Sequence, residues 1–207
     1  MNRLFHLLLG ALIAAPLVLS GCGTEQGGQD TRDMQENPNI IVLLTDDMGW
    51  GDLSSYGAPE INTPNLDQMA EQGTRFTSMY VASWCVPTRA QLLTGRYRIR
   101  TGISGTGANG SGGISQDEIT LPESLQEQGY YTQMIGKWHL GHAEDRFLPP
   151  NHGFDDWWGL PYSNDYMKPW VQTDVPLQLY HNLEPIEHPV NQNTLTTRYT
   201  ERAVELI

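Results

Sequence analysis

PNIIVLLTDDMGWGD, residues 38–52, begins with an uninterrupted apolar run and passes into two adjacent carboxylates. Residues 40–44 read Ile-Ile-Val-Leu-Leu. A strand with one solvated face alternates apolar and polar residues, whereas a continuous apolar run rich in β-branched residues predicts a strand buried on both faces, as in a parallel sheet covered by helices. In open α/β sheets the functional groups lie beyond the C-terminal ends of the strands. Asp46 and Asp47 fall at that place. Adjacent carboxylates repel unless something positive intervenes. A hard divalent cation with oxygen ligands is one solution. The other is a simple turn, which aspartate also favours.

The chain downstream supports the same architecture. Thr63 and Pro64 form a cap and first-turn pair, Leu66, Met69 and Ala70 mark one helical face, and Gly73 stops the helix. Residues 75–80 read as a second strand. In SWCVPTRAQLLTGR, residues 83–96, Pro87 suits a first turn and Gly95 a terminus. A glycine-rich loop spans residues 101–117, and TLPESLQEQG, residues 120–129, repeats the capped-helix pattern. YYTQMI, residues 130–135, is a further strand running into GKWHLG. Strand and helix alternate, so the expected class is α/β, a mostly parallel sheet flanked by helices. Residues 147–166 are rich in proline, glycine and aromatics and read as ordered irregular loop, with Phe154, Trp157 and Trp158 as packing residues. Residues 194–207 read as a helix with Tyr199, Ala203, Val204 and Ile207 on one face. The chain stops inside that apolar pattern, which reads as the N-terminal part of a longer domain.

The 207 residues carry a formal net charge of -12. Such a chain repels nucleic acid and anionic surfaces, so no nucleic-acid partner is expected, and an anionic substrate needs a local cationic site. Arg3, an apolar run and Leu-Ser-Gly-Cys at residues 19–22 make an export signal over residues 1–21. Its end resembles the bacterial lipobox, which implies lipidation of Cys22. Residues 22–37 then read as a flexible tether and residues 38–207 as the folded domain. The expected location is a membrane-anchored bacterial lipoprotein in the periplasm or at the cell surface.

The chain has two cysteines, Cys22 and Cys85. With Cys22 lipidated, Cys85 has no disulfide partner and is either a buried thiol or a used one. It precedes a helix start, where backbone N–H groups favour an anion and lower a thiol pKa. Arg89 lies one turn further on. Lys137 and His139 flank Trp138 and would share a side in an extended segment. They could offer a cation and a proton-transfer group, or be a solvated lysine and a structural histidine. His142 and His152 have no comparable neighbour. GTGANG, residues 105–110, follows no strand and opens no helix, so it is not a dinucleotide fingerprint, and GKW lacks the hydroxyl residue of a phosphate loop.

Together these segments resemble the sulfatase family. CVPTRAQLLTGR is similar to its C-x-P-x-R signature with the helix ending T-G-R. PNIIVLLTDDMGWGDLSSYG resembles its metal-binding strand, GKWHLG its lysine–histidine segment, and HGFDDWWGLPYSND a stretch of arylsulfatase A-like enzymes. The resemblance implies an alkaline-phosphatase-like α/β fold and conversion of Cys85 to Cα-formylglycine by a maturation enzyme. The hydrated aldehyde would attack the sulfur of a sulfate ester on a sulfated small molecule or glycan. It further implies one Ca²⁺ bound by Asp46, Asp47 and the modified Cys85. Arg89 would support the diol, Lys137 would contact sulfate and diol, His139 would assist sulfate release, and Ser163 would touch substrate. A second Asp–Asn pair, histidine and lysine of the family pattern are not assignable here. A phosphodiester or phosphonate ester hydrolase of the same superfamily, or a non-catalytic anion- or glycan-binding lipoprotein, are the competing expectations.

Overall fold

The computed structural model describes residues 37–106, 110 and 112–207. The export signal, Cys22 and nearly all of the tether lie outside them. The chain divides into two units at Leu43/Leu44.

The helices follow the cap signals. α1 is Pro64–Gln72 and α2 is Cys85–Thr94, closed by Gly95 in the left-handed region at φ 64°. Thr63 precedes α1, but its hydroxyl bonds Ser54 and Asp67 rather than the helix backbone. α3 is the short Arg98–Thr101 turn, α4 is Leu121–Gln126 and α5 is Leu195–Leu206. α4 has a full capping box. The Thr120 hydroxyl accepts from the Glu123 amide, and the Glu123 carboxylate accepts from the Thr120 amide at 2.7 Å. Both orphan donors are thereby satisfied. On α5, Leu195 is buried and Tyr199 packs on the same cluster, but Val204 and Ile207 are exposed, so the apolar face covers only the first two turns.

Among the described residues the sheet has four strands in the order β1 (Gln133–Ile135), β2 (Asp156–Gly159), β3 (Leu179–His181) and β4 (Glu184–Glu187). β1 and β2 are parallel, and the other two pairings are antiparallel. The α/β class is therefore observed with a mixed sheet. Three expectations are corrected. Residues 40–44 form no ladder among the described residues, and their side chains are exposed. Residues 75–80 likewise form no strand, with Phe76, Met79 and Tyr80 exposed. β2 arises inside the segment expected to be irregular. A ladder requires a partner backbone, and propensity alone does not supply one. For β2 the partner is β1 on one side. On the other, Asn182 brackets Trp157: its amide donates to the Trp157 carbonyl, and its side-chain carbonyl accepts from the Trp157 amide, both at 2.8 Å. Asn182 adopts φ 54° at the β3–β4 turn, a conformation that asparagine tolerates.

The parallel pairing of β1 and β2 continues past the strand ends. The amides of Gly136, Trp138 and His139 donate to the carbonyls of Trp158, Leu160 and Pro161 at 2.9, 2.8 and 3.0 Å. Trp138 is fully buried in a cluster with Val86, Ala90 and Trp157. Its indole N–H donates to the Phe147 carbonyl at 2.6 Å. Phe154 packs edge-on to it and His152 stacks on it. The aromatic cluster is core, as expected. Burying this tryptophan fixes the two residues on either side of it, and those are Lys137 and His139.

Candidate active site

α2 and the segment after β1 bring the chemistry together. Cys85 opens the helix, and Trp84 before it is fully extended at φ -155° and ψ 173°. Val86, Pro87 and Ala90 bury one side of the helix, which leaves Cys85 half-buried on its first turn. The Cys85 Sγ lies 3.3 Å from His139 Nδ1. Arg89, one turn along, donates from Nε to the Trp138 carbonyl at 2.6 Å, locking α2 to the lysine–histidine segment. Lys137 Nζ donates to Asp46 Oδ2 at 2.5 Å and to Ser163 Oγ at 3.3 Å. Cys85, Arg89, Lys137, His139, Ser163 and Asp46 are therefore linked by direct contacts or shared neighbours. Asp47 sits beside them in the chain at φ 55°, exposed.

The alternation expected for Lys137 and His139 is not how they converge. His139 takes φ 61°, in the left-handed region that few non-glycine residues adopt. That turn sends its ring to Cys85 while Lys137 reaches Asp46 and Ser163. Backbone strain of this kind concentrates at functional sites.

The electrostatics follow from burial. His139 is 1% exposed. Burial pushes its pKa down to about 4, and the neighbouring Lys137 and Arg89 cations push in the same direction. The imidazole is thus neutral at pH 7. Burial also pushes the Arg89 guanidinium down to about 10, against the pull of Asp46 and Cys85, so it stays charged. An acidic chain has placed two cations beside the histidine that meets the thiol.

For a metal, the donor chemistry fits in kind. Asp46 and Asp47 are oxygen ligands of the type a hard cation takes. Their number falls short of a shell: among the described residues no group of three or more His, Cys, Asp or Glu side chains gathers around one point.

Tyr166 and the Trp138 carbonyl are the parts of the site that sequence reasoning missed. Tyr166 lies three residues after Ser163, and its ring stands 5.2 Å from His139 at 88°. Its amide donates to the Ser163 carbonyl at 3.1 Å, so the two belong to one turn. The aromatic in PYSNDY was the available signal. A carbonyl acceptor leaves no sequence trace.

Two buried histidines set an acid limit. His152 is fully buried, and burial lowers its pKa as it does that of His139. In the unfolded chain both return to the ordinary 6.5. The unfolded state then binds more protons below pH 6.5, so stability is full above that value. It falls toward the folded pKa, at up to about 1.4 kcal/mol per pH unit for each histidine. Urea unfolding at pH 7.5, 6.0 and 5.0 should show this decline, and a flat profile would contradict the burial of both rings as neutral groups.

A family model described as Sulfatase matches residues 38–207. Arylsulfatase G of Rattus norvegicus is 46% identical over 197 residues, covering 82% of this chain and 37% of the relative. N-acetylgalactosamine-6-sulfatase of Canis lupus familiaris is 42% identical over 211 residues, covering 92% of this chain and 39% of the relative. Among solved structures, the PsFucS1 sulfatase from Pseudoalteromonas sp. matches with a TM-score of 0.69 and 31% identity, covering 82% of this chain and 40% of that one. Ps i-CgsB matches with a TM-score of 0.67 and 30% identity, covering 81% and 42%. The chain spans well under half the length of these relatives.

Proposed function

Because the chain belongs to the sulfatase family, we propose that the whole protein hydrolyses sulfate esters to an alcohol and inorganic sulfate, with position 85 as the nucleophile. The observation that carries this reading is the 3.3 Å approach of Cys85 to the neutral His139, with Lys137 and Arg89 alongside. A thiol kept for packing needs neither a buried base nor two cations.

In this reading Cys85 is oxidised by a formylglycine-generating enzyme, and its hydrate carries two hydroxyls. One attacks the ester sulfur, the alcohol leaves, and a sulfated enzyme forms. The second hydroxyl then gives its proton to His139, the C–O bond to sulfate breaks, and the aldehyde returns. Neutral at working pH, His139 is able to take that proton. Lys137, held between Asp46 and Ser163, binds the sulfate oxygens, and Ser163 adds a donor on the substrate side. Arg89 offsets negative charge near the helix start. A Ca²⁺ ion held through Asp46, Asp47 and the modified Cys85 would polarise a sulfate oxygen.

One relative is an N-acetylgalactosamine-6-sulfatase, which supports a sulfated glycan as substrate. The leader and Leu-Ser-Gly-Cys support export and anchoring through Cys22, in the periplasm or at the cell surface. The test is co-expression of the full-length protein with a maturation enzyme. Mass spectrometry of the Cys85 peptide should show loss of the thiol in favour of an aldehyde. Rates on an aryl sulfate and an aryl phosphodiester are then compared. An unmodified thiol, or a preference for the phosphodiester, would overturn the reading.

A further inference from the structure

The geometry points to Tyr166 as the residue that sets the tautomer of His139: the face of its phenol ring receives the Nε2–H, leaving the Nδ1 lone pair aimed at position 85. A neutral imidazole carries one N–H, and its surroundings decide which nitrogen holds it. Nδ1 faces Cys85 Sγ at 3.3 Å. Nε2 is closed to solvent and has no hydrogen-bond partner among the described residues. A buried N–H aimed at nothing is costly. The Tyr166 ring is the neighbour that resolves this. Its centroid is 5.2 Å from that of the imidazole and the ring planes are perpendicular at 88°. An aromatic face is electron-rich, and N–H to π contacts are real, weak hydrogen bonds.

Tyr166 is held there by its own turn. Besides the amide bond to Ser163, the turn is pinned to residues 192–194 by a reciprocal amide pair. Asn164 Nδ2 donates to Gln192 Oε1 at 3.0 Å, and Gln192 Nε2 donates to the Asn164 carbonyl at 3.1 Å. An irregular segment with this many ties presents a fixed ring. The opposite tautomer would put a proton on Nδ1 against the nucleophile and leave the Nε2 lone pair buried without a donor. A base must offer its lone pair to the proton it takes, so only the Nε2–H form is competent to deprotonate a hydroxyl at position 85. Tyr166 is on this account a positioning residue. The catalytic consequence rests on the hydrolase reading above, whereas the tautomer itself does not.

The test uses long-range ¹H–¹⁵N spectra of histidine side chains in the ¹⁵N-histidine-labelled full-length protein, with His139 assigned through His139→Gln. The expected wild-type pattern is a pyridine-type Nδ1 and a pyrrole-type Nε2. Tyr166→Phe keeps the ring face and should keep that pattern. Tyr166→Leu should give a mixture of tautomers. Cys85→Ala should leave the pattern unchanged, because the thiol does not set it. If the leucine variant fails to fold, pentafluorophenylalanine at 166 keeps the ring shape but reverses the polarity of its face, and it should give the mixture instead. In turnover, kcat of the leucine variant should fall in proportion to the lost Nε2–H fraction while KM holds. A wild-type Nδ1–H would overturn the proposal. So would an unchanged tautomer after both ring substitutions, or a tautomer that switches in Cys85→Ala. Correct spectra without any sulfate ester turnover would leave Tyr166 in this role and remove the hydrolase reading alone.

Discussion

Cys85→Ala in the full-length, matured protein should lower kcat on a sulfate ester by at least roughly 10³-fold, the scale of losing a covalent nucleophile. Its melting temperature should barely move. The side chain is half-buried on the first turn of α2, and the packing of that turn comes from Val86, Pro87 and Ala90 instead. Truncation removes one sulfur from the edge of the core cluster, which costs about 1 kcal/mol or less. Arg89 still reaches the Trp138 carbonyl, and Lys137 still spans Asp46 and Ser163, so the cationic site survives. Sulfate or a substrate analogue should accordingly bind the variant with little change while turnover disappears. Steady-state kinetics with calorimetric binding separates the two. Turnover close to that of the parent protein would place the nucleophile elsewhere.

The second large effect is on folding. Gly159→Ala should destabilise the domain by about 3 kcal/mol or more, because overpacking against backbone cannot be relieved by a rotamer change. A Cβ at this position would collide with the Gly136 carbonyl oxygen and crowd the Gly136 nitrogen. Those atoms belong to the turn between β1 and Lys137. Either β1 parts from β2 or the segment bearing Lys137 and His139 shifts. The amides of Trp138 and His139 hang on the carbonyls of Leu160 and Pro161, immediately after Gly159. Loss of soluble yield, or a large drop in the urea midpoint, is the expected readout. Gly51→Ala is the control: nothing lies within 4 Å of a Cβ there. It should stay within about 0.5 kcal/mol of the parent. Equal stabilities for the two variants would mean that β1 and β2 are not in the close register described.

Much of the helical structure was legible because its signals are local. Thr120, Pro122 and Glu123 specify a capping box within four residues, and Gly95 supplies the φ that ends α2. The sheet was less legible. The most apolar run, residues 40–44, forms no ladder among the described residues, whereas Asp156–Gly159, flanked by proline and glycine, forms the strand at the centre of the domain. Burial of Trp157 and its bracketing by Asn182, 25 residues on, made that strand. No window of neighbouring residues contains that information.

The candidate site divides in the same way. By itself the sequence determined the residue types: two adjacent carboxylates, a cysteine at a helix start with an arginine one turn on, and a lysine and histidine astride a tryptophan. It also determined, through its motifs, the family. Tertiary structure decided which of these groups meet. Asp46 and Lys137 are 91 residues apart in the chain, Cys85 and His139 are 54 apart, and both pairs are in contact. Tertiary structure also decided their electrical state. His139 is neutral because burial closes its ring off from water, and the Tyr166 ring stands perpendicular beside it. A side chain's identity fixes what it can donate or accept. Distance and burial depend on every segment packed around it, and they fix what it does.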